Sequence, residues 1–126
     1  MKYIAALLAL STAALAQPAC SSVVWVNPDP THIACVTYLV KGAGIRGAGV
    51  NLTNETGGNE NHHDISLPWT LQFPRARGAY VGFVAYADPI YKGGWIDATI
   101  LVDGYSVQHA HGDSRVDLGT YVPAAR

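Results

Sequence analysis

The feature that most limits the fold of this chain is the spacing of its apolar residues. After Ala16, short runs rich in Val, Ile, Thr, Tyr and Trp recur between clusters of Gly, Pro, Asn and Asp. No run keeps the 3.6-residue apolar period of an amphipathic helix, whereas several alternate from residue to residue as half-buried strands do. The spacing therefore predicts an all-β domain with strands over residues 22–27, 34–41, 49–53, 65–73, 79–87, 94–102, 105–109 and 115–122.

The strand over residues 94–102 predicts a register as well as a position, because a turn signal follows it directly. Asp103-Gly104 suits a two-residue hairpin turn in which both residues have positive φ. Residues that face each other across such a hairpin share one face of the sheet. A two-residue loop therefore predicts the facing pairs Val102 with Tyr105, Ile100 with Val107 and Ala98 with His109, whereas a bulged turn would rotate His109 outward.

The number of strands indicates the architecture. About seven or eight short strands in so short a chain favour a small two-sheet β-sandwich, with a closed barrel as the alternative. Pro68 cannot donate a ladder hydrogen bond, so it belongs at an edge or a bulge. Residues 54–63 are the most polar and read as a surface loop. Gly42–Gly47 has the GxGxxG spelling, but a strand follows it, which favours a hairpin loop over a dinucleotide site.

The first sixteen residues have the composition of a secretory signal peptide. Lys2 provides the positive start, residues 4–10 are apolar, and Ala14-Leu15-Ala16 is a small-x-small cleavage pattern. Cleavage after Ala16 leaves residues 17–126 as an exported, extracellular domain. The apolar stretch is shorter than the roughly 20 residues that span a bilayer, so we expect no membrane span after cleavage.

Export also determines how the two cysteines are interpreted. Cys20 and Cys35 are the only cysteines, and an oxidising compartment lets them form a disulfide bond. The bond would close a loop of about 15 residues and stabilise the fold by about 3 kcal/mol in the chain-entropy model. Asn51-Leu52-Thr53 and Asn54-Glu55-Thr56 match the N-glycosylation pattern, which predicts a glycoprotein if the secreting cell is eukaryotic.

The charged residues exclude some classes of partner. Loss of Lys2 with the signal peptide leaves seven basic residues against nine acidic ones, and the basic residues are scattered along the chain. Nucleic acids and anionic membranes bind concentrated positive patches. We therefore expect neither as the main partner.

Histidines are the residues most suggestive of chemistry. His109 and His111 are two residues apart on a strand and point the same way. With a third ligand from His62, His63 or Asp64, they would suit Zn²⁺ or Cu²⁺. The alternative is that all are polar surface residues near loops, with no cofactor.

Aromatic residues suggest a second candidate site. Tyr91 and Trp95 flank Lys92-Gly93-Gly94 at a predicted loop, where exposed rings would contact a ligand. Most other aromatics are expected in the core, because a small all-β domain needs large side chains to bury enough area.

No catalytic motif appears in the sequence. GxSxG and HExxH are both absent, which favours a non-enzymatic binding or interaction module, such as a small secreted effector or a cell-surface ligand. Its partner would be an extracellular protein, a glycan or a small molecule. The alternative is an extracellular metal-dependent or histidine-based hydrolase.

Three short motifs resemble a known family. They are Val36-Thr37-Tyr38-Leu39-Val40-Lys41-Gly42, Leu67-Pro68-Trp69 followed by Leu71 and Phe73, and Ile100-Leu101-Val102-Asp103-Gly104. Their order over roughly residues 36–121 is similar to the extracytoplasmic domain of the MmpS-like family, small mycobacterial membrane proteins that assist export. The resemblance implies an immunoglobulin-like β-sandwich and, as a third possible function, a membrane-tethered transport accessory.

Overall fold

The structure is a computed structural model that describes residue 20 and residues 32–45, 47–87 and 94–124. Within these residues no helix is long and apolar enough to cross a bilayer. This part of the chain contains eight strands: β1 (Ile33–Ala43), β2 (Ala48–Thr53), β3 (Asn59–His62), β4 (Trp69–Ala76), β5 (Tyr80–Ala87), β6 (Trp95–Val102), β7 (Tyr105–Gly112) and β8 (Arg115–Tyr121).

The strands form two antiparallel sheets that pack face to face. Sheet A has the order β4-β1-β6-β7 and sheet B the order β3-β2-β5-β8. The predicted small two-sheet β-sandwich is thus confirmed as two packed four-stranded sheets. The predicted disulfide is confirmed as well, since Cys20 and Cys35 are bonded with their Cα atoms 5.6 Å apart.

The core lies between the sheets and follows from the period-2 alternation of the strands. On β1, for example, every second residue from Ala34 to Val40 is buried. Apolar side chains leave water only on the inward face of each strand, so alternation fixes which face is buried. The buried core comprises Ala34, Val36, Tyr38, Val40, Val50, Leu52, Phe73, Val81, Phe83, Ala85, Ala87, Ile96, Ala98, Ile100, Val102, Val116, Leu118 and Val122.

Among the core residues of the described part of the chain, only Tyr38 places a polar group between the two sheets. Its ring packs against Phe73 and Phe83. The last residue pair of the β2–β5 ladder is Leu52–Phe83. The Tyr38 hydroxyl links the next residue of each strand, Thr53 on β2 and Gly82 on β5. It donates to the Thr53 carbonyl oxygen at 2.8 Å and accepts from the Gly82 amide at 3.0 Å. Burial raises the pKa of Tyr38 to about 12, and the Gly82 hydrogen bond opposes that shift.

The Asp103-Gly104 turn is confirmed, but the register beyond it is only partly as predicted. Both turn residues have positive φ, 51° and 86°, and Val102 faces Tyr105 as expected. A β-bulge then adds Val107 to β7, so that the remaining facing pairs shift by one residue: Ile100 with Gln108, Thr99 with His109 and Ala98 with Ala110. The predicted pairs of Ile100 with Val107 and Ala98 with His109 are therefore wrong.

The same turn secures the disulfide-bonded strand. Asp103 accepts a hydrogen bond from the Cys35 amide through Oδ1 at 2.9 Å and donates its own amide to the Cys35 carbonyl oxygen at 2.8 Å. Its Oδ2 accepts from Arg77 Nη2 at 2.7 Å. This turn therefore connects β1, the β4–β5 turn and the β6–β7 hairpin at one end of the sandwich.

Two predicted loops have a different structure. The polar segment 54–63 contains β3, which pairs with β2, because the Asn54 side chain organises a tight turn. Asn54 Oδ1 accepts from the amides of Thr56 and Gly58. The segment Gly42–Gly47 is not a hairpin loop, since it joins β1 in sheet A to β2 in sheet B. Sequence alone could not assign these two strands to different sheets.

The fourth predicted strand begins later than expected. Pro68 follows a cis peptide bond and precedes β4, so it lies outside the strand rather than at a bend within it. β4 contains Pro74 instead, and it is one of the two edge strands of sheet A, where an amide that faces away from the sheet makes no ladder bond. The predicted signal peptide and the predicted strand over residues 22–27 lie outside the described residues.

Candidate functional site

The two histidine groups lie at opposite edges of the sandwich. His109 and His111 are on β7, an edge strand of sheet A that contacts β8. His62 is the last residue of β3, at the other edge of sheet B, and His63 and Asp64 follow it. Three interstrand spacings of about 4.8 Å separate β3 from β8. The structure therefore does not bring these groups together as a shared metal site requires.

His109 and His111 instead surround a carboxylate on the outer face of sheet A. In the register, His111 is opposite Asp97. Asp97 Oδ1 lies against His109 Nε2 and 3.9 Å from His111 Nδ1. Trp95 stacks on His111, with ring centroids 5.4 Å apart and planes at 27°. Two residues predicted separately, Trp95 and His111, are thus neighbours, whereas Tyr91 lies outside the described residues.

This cluster is a cross-strand contact between one carboxylate and two imidazole rings. The Asp97 side chain is 19% exposed, and its Oδ1 is shielded from solvent without a well-oriented hydrogen bond in the described part of the chain. The two imidazole rings are the polar groups nearest to this carboxylate oxygen. Among residues 20, 32–45, 47–87 and 94–124, no group of three His, Cys, Asp or Glu side chains is arranged to hold a metal ion.

Removal of divalent metal is therefore expected to leave the stability of the fold unchanged. The measurement is the Tm by calorimetry before and after dialysis against a strong chelator. The variant that replaces both His109 and His111 by alanine serves as the control, because it removes the strand pair that was expected to bind a metal. A drop in Tm that added Zn²⁺ reverses, and that the double variant abolishes, would contradict this expectation.

The residues of the other predicted group have local partners. His62 Nε2 and Glu60 Oε1 are 3.0 Å apart, and the Asn54 amide donates to Glu60 Oε2 at 2.8 Å. The Asn54 hydrogen bond, followed by the His62 hydrogen bond, lowers the pKa of Glu60. His63 Nδ1 lies 3.3 Å from the Tyr86 hydroxyl. These contacts organise the β2–β3 hairpin and its flank.

The two glycosylation candidates differ in their surroundings. Asn51 is exposed on the outer face of sheet B, opposite Asn61 and Val84. Asn54 is held by the hairpin turn and by Glu60. Glycosylation at either position stays a prediction.

The outer surface of sheet B carries a group of aromatic residues that the sequence did not single out. We call it the tyrosine face and define it by Tyr80, Tyr86 and Tyr121. Tyr80 and Tyr121 are 46% and 67% exposed. They face each other across β5 and β8, with ring centroids 5.7 Å apart and planes at 72°. Their rings therefore meet at a steep angle on an open surface.

Glycines beneath the rings explain why the tyrosines lie along the sheet. A Cβ at Gly119 would lie 2.3 Å from the Tyr80 hydroxyl oxygen, and one at Gly82 would lie 2.7 Å from it. A Cβ at Gly49 would meet the Tyr86 ring at 2.5 Å. Each ring thus occupies the space above a neighbouring strand that a side chain would otherwise fill, as aromatic residues do opposite sheet glycines.

A mostly polar row of side chains crosses sheet B between the Tyr80–Tyr121 pair and Tyr86. Cross-strand pairing places Asn61, Asn51, Val84 and Asp117 in one row across the four strands. Asp117 also binds Arg115, whose Nε lies 3.0 Å from Oδ1. The row therefore offers amide and carboxylate groups beside aromatic rings, and its strong charges are paired.

The sequence did contain a signal for the tyrosine face. Tyr80-Val81-Gly82 and Gly119-Thr120-Tyr121 are mirror images, and antiparallel pairing of such triplets puts tyrosine opposite tyrosine and glycine opposite glycine. Nothing in the sequence identifies the two segments as partners, because the signal requires the β5–β8 register.

Comparison with known proteins does not identify a relative. No family model matches the chain, and no curated protein is significantly similar to it. The resemblance to the MmpS-like family therefore stays a prediction.

Proposed function

We propose that this protein is a secreted, non-enzymatic binding module and that the tyrosine face is its binding surface. The observation that carries the proposal is the contact between Tyr80 and Tyr121 on an open sheet surface. Exposed aromatic clusters cost solvation free energy in an isolated protein and mark interaction sites. The signal-like leader and the disulfide support secretion.

The other two functions lack an observation in their favour. A hydrolase built on both histidine groups needs them to converge, and they lie at opposite edges of the sandwich. A membrane-tethered transport accessory rests on the family resemblance alone.

The test is a pull-down from extracellular and cell-surface material with immobilised protein. We expect a retained component that is lost when Tyr121 is replaced by alanine. Tyr105→Ala is the matched control, because Tyr105 is also exposed, at 55%, but lies on β7 of sheet A. Retention that is equal for the wild type and Tyr121→Ala would reject the tyrosine face as the binding surface.

A further inference from the structure

We propose that the ligand of the tyrosine face is a neutral oligosaccharide, an inference that rests on the proposed function and specifies its ligand class. Sugar rings have apolar C–H faces and a rim of hydroxyl groups. A surface that binds them must combine aromatic ring faces with hydrogen-bonding groups that both donate and accept. The tyrosine face combines aromatic rings with exposed amide and carboxylate groups.

The aromatic part is held in place by the backbone around it. Tyr80 lies over Gly82 and Gly119, and its carbonyl oxygen accepts from Arg75 Nη2 at 3.1 Å. The ring of Tyr121 stands at 72° to that of Tyr80. One ring thus lies along the sheet and the other rises beside it, so that a sugar ring could stack on the first and contact the second. Rings held in place in this way lose little conformational entropy on binding.

The hydrogen-bonding part lies next to the rings. Asn51 and Asn61 are exposed, and each amide carries two donors and an acceptor. Asp117 adds an acceptor at the β8 end of the row. Amides and carboxylates of this kind match hydroxyl groups, which donate and accept in turn.

The charge of the surface favours an uncharged ligand. Arg115 and Asp117 form an ion pair and offset each other, and the tyrosine, asparagine and valine side chains of the face add no formal charge. An anionic polysaccharide or a nucleic acid would need an excess of basic side chains. The tyrosine face has none.

The size of the surface favours a glycan over a folded protein. Four strands extend about 14 Å across the sheet, and β5 from Tyr80 to Tyr86 extends about 20 Å along it. The flat footprint of about 300 Å² is small for a stable protein–protein interface, in which each partner buries roughly 800 Å² of accessible surface. A short stretch of an oligosaccharide needs less surface.

The test is calorimetric titration with neutral hexasaccharides of glucose, mannose and N-acetylglucosamine, with heparin as the charged comparison. The protein is produced with its disulfide in a bacterial host, so that no glycan at Asn51 covers the face. We expect at least one neutral hexasaccharide to bind, and heparin not to bind. Tyr121→Ala should weaken that binding at least tenfold, which corresponds to about 1.4 kcal/mol.

Gly119→Ala gives a sharper variant because it retains every tyrosine. The three atoms nearest to the added methyl group all belong to the Tyr80 side chain, so the change displaces that ring and leaves the strands paired. We expect it to weaken hexasaccharide binding at least tenfold, whereas Tyr105→Ala leaves binding unchanged. Circular dichroism of each variant confirms that it is folded.

Two results would overturn the inference. One is the absence of binding for every neutral hexasaccharide at about 5 mM, a concentration that would detect even millimolar dissociation constants. The other is binding that Tyr121→Ala and Gly119→Ala leave unchanged. If a protein is still retained in a Tyr121-dependent way in the pull-down, the binding function stands and only the ligand class is wrong.

Discussion

Replacing Tyr38 by phenylalanine is expected to lower the free energy of unfolding by about 3 kcal/mol. The ring and its packing against Phe73 and Phe83 are kept, so the loss comes from the hydroxyl alone. Without it, the part-buried Thr53 carbonyl and the buried Gly82 amide lose the hydroxyl that joins them, and a buried group left unsatisfied costs about 1–3 kcal/mol. The measurement is equilibrium unfolding in urea.

The same change at Tyr121 is the matched control, because the side chain of Tyr121 is 67% exposed. Its loss of a hydroxyl should alter stability by less than about 0.5 kcal/mol. An effect of Tyr38→Phe as small as that of the control would show that the bridge between the sheets contributes nothing to stability.

The raised pKa of Tyr38 gives the bridge a pH dependence. Because the pKa is about 12 in the folded protein and 10.0 in the absence of burial, the neutral phenol stabilises the fold fully below pH 10. That contribution is lost as the pH rises from 10 towards 12. The Tm should therefore fall over this range more steeply in the wild type than in Tyr38→Phe.

The second large effect is expected for Gly82→Ala. A Cβ at this position would lie 2.6 Å from the Leu118 carbonyl oxygen and 3.0 Å from the Gly119 Cα. Both atoms belong to the backbone of β8, so β5 and β8 would have to separate to make room. Overpacking of this kind costs about 1–3 kcal/mol, and a value near the upper limit is expected because the obstacle is a paired strand.

Gly119→Ala is the matched control for Gly82→Ala, since the two glycines face each other. Its added methyl group meets the Tyr80 ring rather than backbone, and the ring can move. We expect the free energy of unfolding to fall by less than about 1 kcal/mol, because alanine also lowers the entropy of the unfolded chain and this offsets part of the loss. Equal losses for the two variants in urea unfolding would contradict the close approach of β5 and β8.

Much of the fold followed from local patterns. Strands such as β6 were predictable because a strand with one buried face must alternate, and the Asp103-Gly104 turn was predictable because both positions require positive φ. β3 was missed because its four residues, Asn59 to His62, are all polar. It exists because β2 offers a partner and Asn54 organises the turn, and neither property produces an apolar alternation.

The candidate site followed much less from the sequence. Trp95 and His111 were each recognised, but only the register of β6 and β7 makes them neighbours and adds Asp97 between the histidines. The bulge at Val107 decides that His109 faces outward, and no Gly or Pro marks that position. The tyrosine face depends on the pairing of two segments that are about 35 residues apart.

The sequence by itself determined the class of fold, the disulfide and the sharp hairpin. Apolar alternation and the positive φ of a turn act over a few residues, and two cysteines leave only one possible pairing. The tertiary structure decided which strands share a sheet, where the register slips and which side chains meet on an open surface. These depend on contacts between distant segments, and many pairings would satisfy the same local pattern. The location of the binding surface belongs to this second group.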